Sequence, residues 1–240
     1  AGLMLFYLLP HCRRLQPGLR FIPAIDRLGK AISLAVEKGE RIHISLGKAS
    51  ILDPACASAL SGLNALARLA QISLGTDRPM VATSGEGALA ILSQDTLRNA
   101  HHDASALDQY DPDCGRLSGA TRFAYITGAL SVIQSERVAV NIMIGNFSPE
   151  AALLCDAADN AHAFTLAASD SLEAQSVLYA VAEAPLIGEE LFALPAYLKA
   201  GAVYQSSLLA QDGLRWVLVV VMVVGSLIKL ASVILGVPSV

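Results

Sequence analysis

The segment Leu214–Gly236, LRWVLVVVMVVGSLIKLASVILG, limits what this chain can fold into more than any other part of it. It holds thirteen unbroken apolar or small residues from Trp216 to Ile228, and Lys229 is the next to interrupt it. Twenty-odd helical residues at ~1.5 Å rise cover about 30 Å, the thickness of a bilayer's hydrocarbon core. Arg215 and Trp216 stand where interfacial anchors would, and a lysine such as Lys229 can snorkel. The expectation is a C-terminal transmembrane helix over residues 214–237.

The opening AGLMLFYLLP is apolar up to Pro10 and reads as the end of an N-terminal transmembrane helix over residues 1–10. His11, Arg13, Arg14 and Arg20 follow in a basic juxtamembrane segment, 11–22. Positive charge collects on the cytoplasmic side of membrane helices. This cluster and Arg215 therefore place the intervening domain in the cytoplasm, at a bacterial cytoplasmic membrane. A signal peptide would carry its charges ahead of the apolar stretch. Composition fits a chain with little free surface: 54% of residues are apolar and 16% charged, against about 25% charged in ordinary domains. A net charge of −4 gives no basic footprint for phosphate backbones, so no nucleic-acid partner is expected.

Between these ends two passages resemble each other. One starts at Ala24 and the other at Ala120, and each opens with an amphipathic helix leading to a Glu-Arg turn, Glu40–Arg41 or Glu136–Arg137. An apolar strand then ends in Gly47 or Gly145, and a helix opens at Asp53–Pro54 or Ser148–Pro149. Proline suits the first helical position, whose N–H has no partner, while Asp or Ser caps the free donors. Further strands are read at Pro79–Ser84 and Ala163–Ala168, followed by helices Glu86–Ala100 and Leu172–Ala184. Short apolar strands alternating with helices imply a mostly parallel sheet covered by helices on both faces. The reading is a Rossmann-like α/β domain of two similar α-β-α-β-α halves, 23–103 and 119–187, flanked by transmembrane helices. Turn formers fill the linker 104–118, and connecting helices fill 188–213 with a break at Pro195.

Ligands of parallel α/β sheets bind beyond the carboxyl ends of the strands. Four loops lie there, which nominate Gly47, Lys48, Ser50, Ser84, Gly85, Glu86, Gly145, Asn146, Ser148, Ser169 and Asp170 as ligand-binding candidates. Their backbone N–H groups could cradle an anion, with Lys48 adding charge. Neither a phosphate loop nor G-x-G-x-x-G is present, and no cofactor is implied. Glu86, Asp170, Glu150 and Asp53 could converge, yet they stand among Gly, Ser and Pro, and no nucleophile–base motif accompanies them. Cys12, Cys56, Cys114 and Cys155 are scattered without metal spacing, and His101–His102–Asp103 reads as a solvated helix end. No metal or catalytic residue is nominated. His43, inside a strand, reads as a satisfied core residue.

The helices Ala55–Leu74 and Ala151–Ala163 are small or apolar nearly all round, so each must be covered on every side. Ala57, Ser61, Gly62 and Ala65 permit close helix–helix approach. Either a second copy or a three-layer domain could supply the cover. The passages FIPAIDRLGKAISLAVEKGERIHISLGKASILDPACASALSGL and VNIMIGNFSPEAALLCDAA resemble an uncharacterised family of membrane-anchored α/β proteins of Chloroflexota-type bacteria. The resemblance spans Phe21 to about Lys229 and implies membrane attachment and α/β content, but no activity. The preferred expectation is a non-enzymatic, membrane-anchored scaffold whose domain self-assembles as a homo-oligomer or docks a membrane-complex partner. The alternative is a membrane-tethered binder of a small anionic ligand or nucleotide at the strand-end loops.

Overall fold

A computed structural model describes residues 20–53, 56–74, 76 and 78–234, with side chains described to residue 230. The expected N-terminal membrane helix, Cys12 and the Pro54 cap position lie outside these residues. The chain divides into a unit from Arg20 to Ala200 and a second containing Gly201 onward.

The first unit alternates helix and strand: α1 (Pro23–Lys38), β1 (Arg41–Gly47), α2 (Cys56–Ser73), β2 (Val81–Ser84), α3 (Gly87–Asp103) and β3 (Gly115–Leu117). It continues with α4 (Arg122–Ser135), β4 (Val138–Asn146), α5 (Ala152–Asn160), β5 (Phe164–Ser169), α6 (Leu172–Val181), β6 (Ala184–Leu186) and α7 (Glu190–Tyr197). Local chemistry sets several of these ends. Pro23 opens α1 and Gly39, at φ 64°, closes it in the left-handed conformation. Glu86 caps α3 by accepting from the Leu89 N–H, and Thr121 caps α4 by accepting from the Ala124 N–H.

All six strands are parallel, in the order β3-β2-β1-β4-β5-β6. This is the doubly wound order, in which the first three strands run outward from the centre one way and the last three the other. Alternate strand residues enter two apolar cores. Ile42, Ile44, Leu46, Ile142, Ile144 and Leu166 meet α1, α2, α3 and α7, whereas Met143 and Ala167 meet α4, α5 and α6. Successive side chains point to opposite faces of a sheet, so the domain has three layers.

Two expectations are corrected here. The stretch 104–118 is more than a linker, because it contains β3, and the helix read at Leu172–Ala184 stops at Val181, leaving Ala184 to open β6. Both are three-residue edge strands with too little apolar pattern to register as strands. Pro185, which lacks an N–H, is tolerated at an edge. Pro195 does not break its helix either; it lies inside α7.

The cover for α2 comes from its own domain. Ten of its residues are buried, among them Ser58, Ala59, Ser61, Gly62, Ala65 and Leu66. Gly62 lies so close to the sheet that a Cβ would stand 2.8 Å from the Ile144 carbonyl oxygen and 3.0 Å from Leu46 Cδ2. Ser61 Oγ donates to the Leu191 carbonyl of α7 at 2.9 Å, and Arg68 Nε donates to that of Leu198 at 3.1 Å. The small residues thus bring α2 onto the sheet and α7.

The face of the sheet under α4 carries a buried polar row: His43, Ser45, Thr83, Asn141 and Thr165. His43 Nδ1 donates to Asn141 Oδ1 at 2.8 Å, since that oxygen can only accept, and Nε2 then accepts from the Thr83 hydroxyl at 2.9 Å. Burial pushes the His43 pKa from 6.5 down to about 4, against the raising effect of Asn141. Asn141 Nδ2 and Thr165 Oγ1, on residues paired in register, have no hydrogen-bond partner among the described residues. At the amino end of the β1–β4 pair, Glu136 joins both Arg41 and Arg116.

The second unit contains α8 (Ala202–Ile234), one continuous helix that joins the end of the expected connecting segment, 188–213, to the expected membrane helix, 214–237. Residues Ala202–Leu230 have a mean hydropathy of 2.0 over their most apolar window, none of it buried. This helix is long and apolar enough to cross a membrane.

Two outcomes follow from this packing. A neutral buried imidazole is stable until its lowered pKa is reached, while the unfolded chain takes up the proton at an ordinary value. Stability is therefore expected to fall as pH drops from 6.5 to about 4, by about 3 kcal/mol at ~1.4 kcal/mol per unit. Denaturation of the detergent-solubilised chain across this range, compared with His43→Gln, checks whether that acid slope belongs to His43. Gly62→Val is expected to destabilise the domain by about 2 kcal/mol or more, because α2 must lift off the β1–β4 pair. The same denaturation assay measures it.

Candidate functional site

The carboxyl edge of the sheet is most open to a ligand where the strand order reverses, between β1 and β4. Here β1 and β4 stay paired to their last residues through a shift in register that sets Gly47 opposite Asn146. Gly47 has φ 72°, which glycine adopts without steric cost, and a Cβ there would collide with the Asn146 carbonyl. Gly145 meets the Leu46 carbonyl in the same way. The Lys48 N–H donates to the Asn146 carbonyl at 3.0 Å, so the two strands end locked together.

Above this lock is a cavity of about 20 Å³. Lys48 lines it from the loop after β1, Arg122, Tyr125 and Ile126 from α4, Asn146 from the end of β4, and Phe147, Ser148 and Glu150 from the segment that follows. The Tyr125 hydroxyl accepts from the Gly47 N–H at 3.1 Å and shares a hydrogen bond with the Ser45 hydroxyl. Burial raises the Tyr125 phenol above its usual pKa, so it remains protonated. Gly85 flanks the site, since a Cβ there would run into the Lys48 stem. Lys48 and Arg122 make no ion pair among the described residues, and Glu150 Oε2 is shielded from solvent without a partner. The Ser148 hydroxyl does not cap the following turn.

Of the residues nominated from sequence, Lys48, Asn146 and Ser148 line this cavity, with Gly47, Gly145 and Gly85 allowing the close approach beneath and beside it. The others are used by the loops themselves. Glu86 caps α3, and the Ser84 hydroxyl reaches the Glu86 and Arg116 carbonyls at 3.3 and 3.4 Å. Ser50 Oγ accepts from the Leu52 N–H at 3.3 Å. Ser169 Oγ accepts from the Phe147 and Ser171 N–H groups, both at 3.2 Å, and Asp170 accepts from Asn146 Nδ2 at 2.7 Å. Asp170 thus orients Asn146 from outside the cavity.

Arg122 and Tyr125 escaped sequence reading. Their signal was position: a helix entering from β3 begins at the carboxyl edge, and β3 was hidden in the linker. Among the described residues, no group of His, Cys, Asp and Glu could hold a metal ion. Cys114 and Cys155 are buried, with pKa values pushed by burial to about 11 and about 12, so neither presents a ready thiolate. A larger cleft of about 490 Å³ lies between the ends of α2 and α3, at the amino edge of the sheet, and the described residues of its lining include no Asp, Glu, Lys or Arg. Two cations and hydrogen-bonding groups around one small cavity can hold an anion.

No curated protein and no solved structure matches the chain. A family model described as a domain of unknown function, DUF6754, matches residues 2–238. This chain belongs to that uncharacterised family.

Proposed function

We propose that this chain is a membrane-anchored domain that binds a small anionic ligand in the crevice between β1 and β4. One observation carries the reading: Lys48 and Arg122, contributed by different parts of the chain, line one cavity at the sheet's reversal point and make no ion pair among the described residues. The enclosed volume of about 20 Å³ is close to that of one water, which favours a compact anion at the mouth over a nucleotide. The length and hydropathy of α8 support anchoring. The basic residues Arg13, Arg14 and Arg20 support a cytoplasmic placement in a bacterial cell. Duplication of the two halves belongs to the same reading, supported by the matched Gly47 and Gly145 at the lock.

The scaffold function is the second reading. It is favoured by apolar side chains exposed along the carboxyl edge, Leu52 at 95%, Leu172 at 81% and Phe123 at 66%. Such a rim suits a homo-oligomer or a partner of a membrane complex.

Thermal unfolding of the detergent-solubilised chain against phosphate, sulfate, small carboxylates and nucleotides tests the anion site. Small oxyanions are expected to raise the Tm, and Lys48→Ala to weaken them by about tenfold or more. No anion effect, or an effect indifferent to Lys48→Ala, would overturn the site. Alkaline carbonate washing is expected to leave the chain with the membrane fraction, and its release would remove the anchor.

A further inference from the structure

One carboxylate at the crevice has no counterpart. Glu150 stands on the turn after β4 and lines the same cavity as Lys48 and Arg122, yet it pairs with neither. Its Oε2 is shielded from solvent and accepts no hydrogen bond. An acceptor left in this condition is costly, and more so when it carries charge. Two other polar groups that line the cavity are engaged elsewhere: the Tyr125 hydroxyl is hydrogen-bonded to Ser45 and the Asn146 amide donates to Asp170.

A bare anion drawn in by Lys48 and Arg122 would meet this carboxylate and be repelled by it. An anion with an O–H of its own would satisfy it. The groups around the cavity therefore ask for two things of one small ligand: negative oxygens for the cations, and a hydrogen-bond donor for Glu150. We propose, resting on the anion-binding reading above, that the site selects a small oxyanion carrying its own proton, of which hydrogen phosphate is the simplest. At neutral pH phosphate keeps at least one proton and sulfate keeps none, although the two ions share tetrahedral shape and nearly the same size. Hydrogen phosphate at the mouth donates to the Glu150 carboxylate while its other oxygens face Lys48 and Arg122. Sulfate offers Glu150 only a further negative oxygen, so the carboxylate acts as a filter against it.

Isothermal titration of the full chain in detergent, with inorganic phosphate and with sulfate at matched ionic strength, tests this without any substitution. Phosphate is expected to bind about tenfold or more tightly than sulfate. Glu150→Gln replaces a charged acceptor by an amide that can also donate, and is expected to bring the two anions within about threefold, chiefly by improving sulfate. Lys48→Ala weakens both anions. Equal binding of sulfate and phosphate, lost in Lys48→Ala, would overturn the proton-donor requirement while leaving the anion site in place. A phosphate preference that survives Glu150→Gln would also overturn it. If neither anion binds the unaltered chain, this proposal fails, and small carboxylates and nucleotides then decide whether the anion reading fails with it.

Discussion

The pairing of β1 with β4 holds the α/β unit together. His43 and Asn141, 98 residues apart, meet across it by a hydrogen bond in the interior. Glu136 bridges to Arg41 at one end of the pair, and at the other Gly47 and Gly145 admit the opposing carbonyls. Every other strand extends outward from this pair, and α2 rests directly upon it through Gly62. A contact so distant in sequence must close a long loop before it stabilises anything, which slows folding. The close fit of glycine and carbonyl at the crevice end then leaves little freedom in how Lys48 and Asn146 are presented.

Much of this was legible because the central strands are buried on both faces. Such strands read as continuous apolar runs, and β1, β4 and β5 appear in sequence nearly at their observed limits. β3 and β6 did not, because three residues at a sheet edge need little apolar character: Gly115-Arg116-Leu117 looks like a turn, and Pro185 looks like a stop. The site followed the same division. Lys48, Asn146 and Ser148 could be placed by the rule that ligands gather at strand ends, whereas Arg122 and Tyr125 required knowledge of which strand α4 follows. Asp170 and Glu86 were of the right residue type in the right loop, but they serve neighbouring backbone and side chains.

The low charge content also takes on a different meaning. In α2 the small residues mark contact with the chain's own sheet and with α7, so an all-round apolar helix did not require a second molecule. Some of the polarity that is present lies inside. The row from His43 to Thr165 under α4 is polar in a layer where aliphatic side chains would pack more simply, and it alternates with Ile42, Ile44 and Ile142 on the other face. A one-residue slip of β4 would exchange these faces, placing Asn141 among the aliphatic groups beneath α2. The row therefore makes the register specific.

The two shortest strands have a consequence for how copies of the chain meet. β3 and β6 form the outer edges of the sheet, and each offers only three residues to a neighbour. One edge carries Arg116, and the other has Pro185 in place of a backbone donor. Exposed strand edges are the usual route by which crowded sheets fuse into a continuous ribbon. Here that route is blunted on both sides. Copies of the chain brought into contact would have to meet through their helices and loops, and could part again without tearing a shared sheet.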